Sequence, residues 1–126
     1  MDYRDILLLG ENTGFGGINT YLVLIADEMR RRGARVDVAA VWPKPDNWLQ
    51  KRCDETELPL HVLASRRSVT EFPRVAWSLI GLVRRRRYRV IHGQGYYSDL
   101  LAQVARIGSG RRPAVVATVH GLPESR

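Results

Sequence analysis

Short, mainly apolar runs recur along this chain with amphipathic stripes of helical period between them, and that alternation restricts the fold more than any single motif. Ile6 to Leu9, four apolar residues between Asp5 and Gly10, have the pattern of a strand buried on both faces of a parallel sheet. After a glycine-rich turn, Ile18, Tyr21, Leu22, Ile25, Ala26 and Met29 recur at helical spacing, and Gly33 follows an arginine triplet as the terminator. Val36 to Val41 reads as a second buried strand stopped by Pro43 and Pro45, Asn47 to Cys53 as a short helix, and Leu60 to Leu63 as a third strand. Phe72, Val75, Ala76, Leu79, Ile80 and Val83 give the next helical stripe and Arg89 to His92 the strand after it. Leu100, Leu101, Val104, Ala105 and Ile107 mark a further helix with Ser98 as its N-cap, and Ala114 to Val119 a last strand. Parallel neighbours need a helical return connection, so the alternation predicts an α/β fold of three α/β/α layers around a parallel sheet with right-handed crossovers.

The totals set limits on this reading. With 126 residues the chain has room for one core and not for two domains. The last strand has no helix after it to cover it, which gives the expectation of a single, incomplete domain over 1–126. No apolar run approaches the roughly 20 residues that span a bilayer, and the start carries Asp2, Arg4 and Asp5 where a secretory signal would be basic and then apolar. A cytoplasmic location is the expectation. Cys53 has no second thiol in the chain, so neither a disulfide nor a thiolate metal site can form within it. The formal charge of +7 comes from 20 basic against 13 acidic residues. Its densest runs, Arg30 to Arg32 and Arg84 to Arg87, each follow an amphipathic stretch, where cations offset the partial negative charge of a helix C-terminus. Attraction to the anionic inner face of a membrane, or to an anionic substrate, is the alternative. Nucleic acid is not expected, because no aromatic residues interleave with the arginines to stack bases.

In an open parallel sheet ligands bind beyond the carboxyl ends of the strands, where the strand order reverses. Three features fall there: the turn Gly14-Phe15-Gly16-Gly17, His92-Gly93-Gln94-Gly95 after the fourth strand, and Thr118-Val119-His120-Gly121 after the fifth. The first turn lacks a Cβ at three of four positions, so backbone N–H groups can approach an anion at a helix N-terminus. The ligand is narrowed by what is missing. A dinucleotide fingerprint counted from Gly14 would need glycine where Asn19 stands and an acidic residue after the second strand, which ends Ala40-Val41-Trp42. A triphosphate-binding loop would need Lys-Ser/Thr after Gly17, which is followed by Ile18 and Asn19. His120 sits where a short polar side chain reaches the crevice, His92 is balanced between site and packing, and His61 reads as structural. Tyr96, Tyr97 and Asp99 could hydrogen-bond a polar ligand, although an Asp at a helix start is as readily a cap. No metal-ligand spacing such as H-E-x-x-H occurs.

These residues also resemble a known family. Gly16-Gly17 with Ile18 to Leu22 and then Leu24 to Gly33 is similar to the first turn and helix of the GT-B glycosyltransferases of retaining family 4. Val90 to Tyr96 and Val116 to Gly121 resemble that family's later strand-end motifs, in the same order along nearly the whole chain. The resemblance implies a Rossmann-like domain, the front part of a GT-B N-terminal domain. It also implies a two-domain parent that moves a hexose from a nucleotide diphosphate sugar to a sugar or lipid acceptor, with retention and without a metal or other cofactor. By the same resemblance Gly16 and Gly17 lie near the donor phosphates and His120 acts as the catalytic residue that positions the transferred sugar. His92, Gln94, Tyr96 and Gly121 line the substrate site, while a C-terminal domain outside this sequence supplies most donor contacts. The fragment alone is then inactive. One departure stands out: the family's fourth-strand motif often has a second histidine where this chain has Gln94, which can hydrogen-bond but cannot carry a proton. Two other classes remain open: a non-catalytic Rossmann-like module holding a phosphorylated ligand, and a sugar-nucleotide epimerase or dehydrogenase. The missing acidic residue after the second strand and the absence of a Tyr-x-x-x-Lys pair count against the latter.

Overall fold

The computed structural model describes residues 5–65, 68–110 and 113–117, without the side chains of Val69 and Tyr96. Its elements alternate as the apolar pattern requires: β1 (Ile6–Asn12), α1 (Gly17–Arg31), β2 (Val36–Trp42), α2 (Trp48–Thr56), β3 (Leu60–Val62), a 3-10 turn (Val69–Glu71), α3 (Phe72–Arg86), β4 (Val90–Gly93), α4 (Tyr96–Gly108) and β5 (Ala114–Ala117). All four strand pairings are parallel and the order is β3-β2-β1-β4-β5. The chain therefore winds outward from β1 through β2 to β3, crosses back, and winds outward again through β4 to β5.

The central strand shows why this sequence needs three layers. Leu7, Leu8 and Leu9 are all fully buried, and because side chains alternate across a strand they must be covered from both sides. Leu8 packs with Leu22, Val23, Ala26, Leu49 and Cys53 of α1 and α2. Leu7 and Leu9 pack with Val75, Leu79, Leu101 and Ala105 of α3 and α4. Burial of each such leucine contributes about 2 kcal/mol. Helices α3 and α4 approach closely at Gly108, where an added Cβ would lie 2.6 Å from Ile80 Cδ1.

The arginine runs fall where cations meet carbonyl ends. Arg30 and Arg31 lie in the last turn of α1, and Gly33 closes it with φ +92, a conformation suited to glycine. Arg84, Arg85 and Arg86 occupy the last turn of α3. His61 is structural, as expected. Its Nε2 lies 3.6 Å from Oδ2 of Asp37, a fully buried carboxylate that also accepts the Tyr88 hydroxyl at 2.5 Å and faces Arg86 Nε at 3.9 Å.

Several expectations are corrected. The second helix runs to Thr56, three residues past Cys53. Strand β3 ends at Val62, and β4 begins at Val90 and includes Gly93. Ile18 and Tyr21 lie on the exposed side of α1, because Asn19 turns inward in their place, and Leu100 and Ile107 are likewise exposed on α4. Ser98 is not an N-cap: α4 starts at Tyr96 with Gly95 as its cap, and Ser98 is the third helical residue. Its hydroxyl donates to the Gly95 carbonyl and accepts the Gln94 N–H, both at 3.0 Å, the back-reaching half of a capping arrangement. The expected last strand beyond Ala117 lies outside the described residues.

Candidate ligand crevice at the strand reversal

Strand order reverses at β1, which pairs with β2 on one side and β4 on the other. The loops that leave β1 and β4 therefore diverge and open a crevice between them. Two helix N-termini point at it, those of α1 and α4.

The α1 turn is wired from below. Asn12 Oδ1 accepts the Gly14 N–H at 2.9 Å, and Asn19 Nδ2 donates to the Gly14 carbonyl at 2.6 Å and the Asn12 carbonyl at 2.9 Å. Asp46 accepts the Phe15 N–H at 2.9 Å. Thr13, fully buried, ties the ends of β1 and β2 together: its N–H donates to the Trp42 carbonyl, its hydroxyl accepts the Lys44 N–H at 2.7 Å, and its carbonyl accepts the Leu49 N–H. Above this scaffold, α1 begins with no side-chain cap and no acidic residue in its first turn. A Cβ on Gly16 or Gly17 would meet nothing within 4 Å, and Gly16, with φ 170, is in extended backbone that any residue adopts. Neither packing nor backbone strain thus calls for glycine at these two positions, in contrast to Gly14, whose Cβ would lie 3.0 Å from Lys44 Cγ. The outer face of the turn is open to a cavity of about 170 Å³ bordered by Glu11, Asn12, residues 14 to 19 and Gln94.

The α4 turn is closed by the protein itself. Glu11 Oε1 accepts the Tyr97 N–H at 3.2 Å and lies 3.0 Å from where a Cβ on Gly95 would be. Asp99 folds over Gly93, whose Cβ would collide with Asp99 Oδ1 and lie 3.3 Å from the Asp99 backbone. Burial pushes the Asp99 carboxyl up from its ordinary value, with Glu11 adding to the rise and His92 opposing it. Burial, and then Glu11, push the Tyr97 phenol up as well.

Of the residues singled out in the sequence, Gly16, Gly17 and Gln94 come together around this cavity. Gln94 is buried, with its N–H held by Leu9 O and Ser98 Oγ. His92 is half-buried one step down β4, in register with Leu8, and does not border the cavity. The backbone of Tyr96 opens α4. His120 and Gly121 lie outside the described residues. The sequence reading passed over Glu11, Asn12 and Trp42. Strand β1 continues three residues past its apolar run, so Glu11 and Asn12 look like loop while still held in the sheet. Cys53 is buried, and desolvation, then Asp54 and Asp27, raise its thiol to about 12, which suits core packing and not nucleophilic chemistry. Among the described residues no helix is long and apolar enough to cross a membrane, and no group of three or more His, Cys, Asp or Glu could hold a metal.

Residues 15–126 match the family described as Glycosyltransferase Family 4. No curated protein matches the chain. Among solved structures, the chain is similar to the apo form of a lipopolysaccharide outer core galactosyltransferase, WaaB, at 16% identity and TM-score 0.77, over 93% of this chain and 33% of that one. It is also similar to MurG of Acinetobacter baumannii, at 14% identity and TM-score 0.70, over 92% of this chain and 35% of that one. At these identities the likeness speaks for the fold. The chain spans about a third of the length of each.

Proposed function

We propose a function from the premise that the match over residues 15–126 establishes: this chain belongs to glycosyltransferase family 4. In our reading it is the acceptor-side domain of an enzyme that transfers a hexose from a nucleotide diphosphate sugar to a sugar or lipid acceptor, with retention and without a metal. A second α/β domain closes on the crevice and supplies most of the donor contacts. The observation that carries this reading is the α1 N-terminus, uncapped and free of acidic residues beneath two glycines that nothing in the chain requires. Departure of a diphosphate builds negative charge, and fixed backbone N–H groups at a helix N-terminus stabilise that charge without ionising themselves. A cavity of about 170 Å³ suits a phosphate-sized group and not a whole sugar nucleotide, in keeping with a cleft that two domains share.

Within this reading Gly16 and Gly17 receive the donor phosphates, Gln94 borders them, His120 and Gly121 approach the transferred sugar, and Tyr96 and His92 lie on the acceptor side. Exposed Arg84, Arg85 and Arg87 at the end of α3 face the acidic lipids of the inner membrane surface when the acceptor is a lipid. Residues 1 to 126 alone, offering half a cleft, turn over no donor. The test is transfer by the complete gene product, assayed with a panel of sugar nucleotides in the presence of a chelator. Retained, anomer-preserving transfer supports the proposal. Turnover by residues 1 to 126 alone, or transfer abolished by the chelator, overturns it.

A further inference from the structure

Three arginines at the end of α3 border a recess of about 410 Å³ that has no part in the crevice. Arg84, Arg87 and Arg89 line it together with Val83, Tyr88 and Pro113. Tyr88 and Arg89 lead into β4, and Pro113 leads into β5. The recess therefore lies at the amino ends of these strands, across the sheet from the crevice at their carboxyl ends. A second hollow, of about 690 Å³, adjoins it, and Arg84 and Arg87 border both. We propose that this recess is a second anion site, in which Arg84, Arg87 and Arg89 hold the phosphate of a small ester or of a lipid headgroup. The inference stands apart from the glycosyltransferase reading.

The two arginine runs differ in how their charge is met. At the end of α1, Glu28 pairs with Arg31 at 3.4 Å and Arg32 at 3.0 Å, and Arg30 donates to the Thr56 carbonyl at 2.7 Å. Helix α3 carries no Asp or Glu from Phe72 to Arg86, so no acid stands one turn back from its arginines. Arg86 faces Asp37, which also accepts the Tyr88 hydroxyl. Asp5, whose carbonyl accepts the Arg89 N–H, has its carboxylate on Arg35. Arg84 and Arg89 are exposed and have no ion-pair partner among the described residues, and no acidic residue borders either hollow. The carbonyl end of α3 supplies only about half a unit of negative charge, which leaves most of three positive charges unmet. Like charges around one hollow are relieved by an anion among them, and the forked donors of guanidinium match the oxygens of a phosphate.

Side chains do the holding here, in contrast to the α1 turn. The N–H groups of Arg87, Arg89 and Ser109 are already donated, to the carbonyls of Val83, Asp5 and Ala105. The walls are fixed before any ligand arrives, because Arg106 Nε donates to the Pro113 carbonyl at 3.2 Å and the Tyr88 hydroxyl is tied to Asp37. A volume of about 410 Å³ falls within the roughly 300–1,000 Å³ common for small-molecule sites, so a phosphate fits together with the group that carries it.

The experiment follows the arginine Nε–H resonances of the chain at near-physiological salt, where charges more than about 8 Å apart are largely screened. Glycerol 3-phosphate is the soluble probe, with glycerol as its control. Phosphatidylglycerol vesicles, set against phosphatidylcholine vesicles, are the lipid probe. The proposal expects saturable shifts of Arg84 and Arg89 with glycerol 3-phosphate, which assign the site to a free ester. Binding to phosphatidylglycerol vesicles without those shifts assigns it to a headgroup. Arg84→Gln and Arg89→Gln together abolish the binding, while Arg31→Gln with Arg32→Gln, an equal loss of charge at the end of α1, leaves it unchanged. Arg87→Gly weakens it about tenfold and keeps the cap of α3, since glycine suits φ 54 at that position. Failure of both probes to engage Arg84 and Arg89, or equal losses from the two double variants, overturns the site.

Discussion

Helices α1 and α4 both begin at a glycine, both point their N-termini at the same crevice, and both follow a strand that ends in a glycine-rich segment, yet the protein treats them oppositely. At α4 the chain spends its own carboxylates: Glu11 holds the Tyr97 N–H and Asp99 folds over Gly93. At α1 no side chain caps the first turn, no acidic residue stands in it, and Gly16 and Gly17 have open space where a Cβ would go. A helix N-terminus attracts anions wherever it is left open. The comparison teaches that a Gly-x-Gly pattern before a helix does not by itself mark a ligand site. What distinguishes the two is whether an internal acid accepts an N–H of the helix itself, as Glu11 does at Tyr97, whereas Asp46 reaches only the Phe15 N–H ahead of α1.

The contrast can be broken in graded steps. The largest effect is expected at the closed turn, where Gly93→Ala forces Asp99 and its backbone to move and costs about 2 kcal/mol in a denaturant titration. Glu11→Ala removes the hydrogen bond to the Tyr97 N–H and costs about 1 kcal/mol, but it also uncovers a second helix N-terminus, so pyrophosphate should begin to shift the Tyr97 amide. Asp99→Asn works through pH. A carboxyl whose folded pKa lies above its unfolded one loses stability as pH rises through that interval, so the variant should gain on the wild type between acidic and neutral pH. The gain is below about 1 kcal/mol, since Asp99 is only half-buried and the helix N-terminus offsets part of the penalty. The smallest change in stability is expected from Gly16→Ala, within about 0.5 kcal/mol because nothing lies within 4 Å of its Cβ. The same variant should lower pyrophosphate affinity, and that pairing of neutral stability with lost binding separates the open turn from the closed one.

How much of this was legible in the sequence follows the same division. The strands and the three layers were readable because Ile6 to Leu9 is apolar without interruption and Val36 to Val41 is broken only by Asp37, a pattern that a sheet covered on both faces accommodates. The open turn was readable from Gly14, Gly16 and Gly17. The closing of the other turn was not, since it depends on Glu11 reaching the Tyr97 N–H of a helix 86 residues along the chain. Strand β1 hid that residue by running three positions beyond its apolar core. Ser98 was misread for a related reason: apolar spacing locates the body of α4 at Leu100, while its true start is set by Gly95 and two tyrosines that carry no periodic signal.

The most direct test of the central claim is to titrate the chain with inorganic pyrophosphate at low ionic strength and follow every backbone amide. Saturable shifts concentrated at Gly16, Gly17 and Ile18, with Gly95 to Tyr97 unmoved until Glu11 is replaced, are what the open and closed turns predict. Shifts confined to the arginines at the end of α3, or equal at both turns in the unaltered chain, would contradict it.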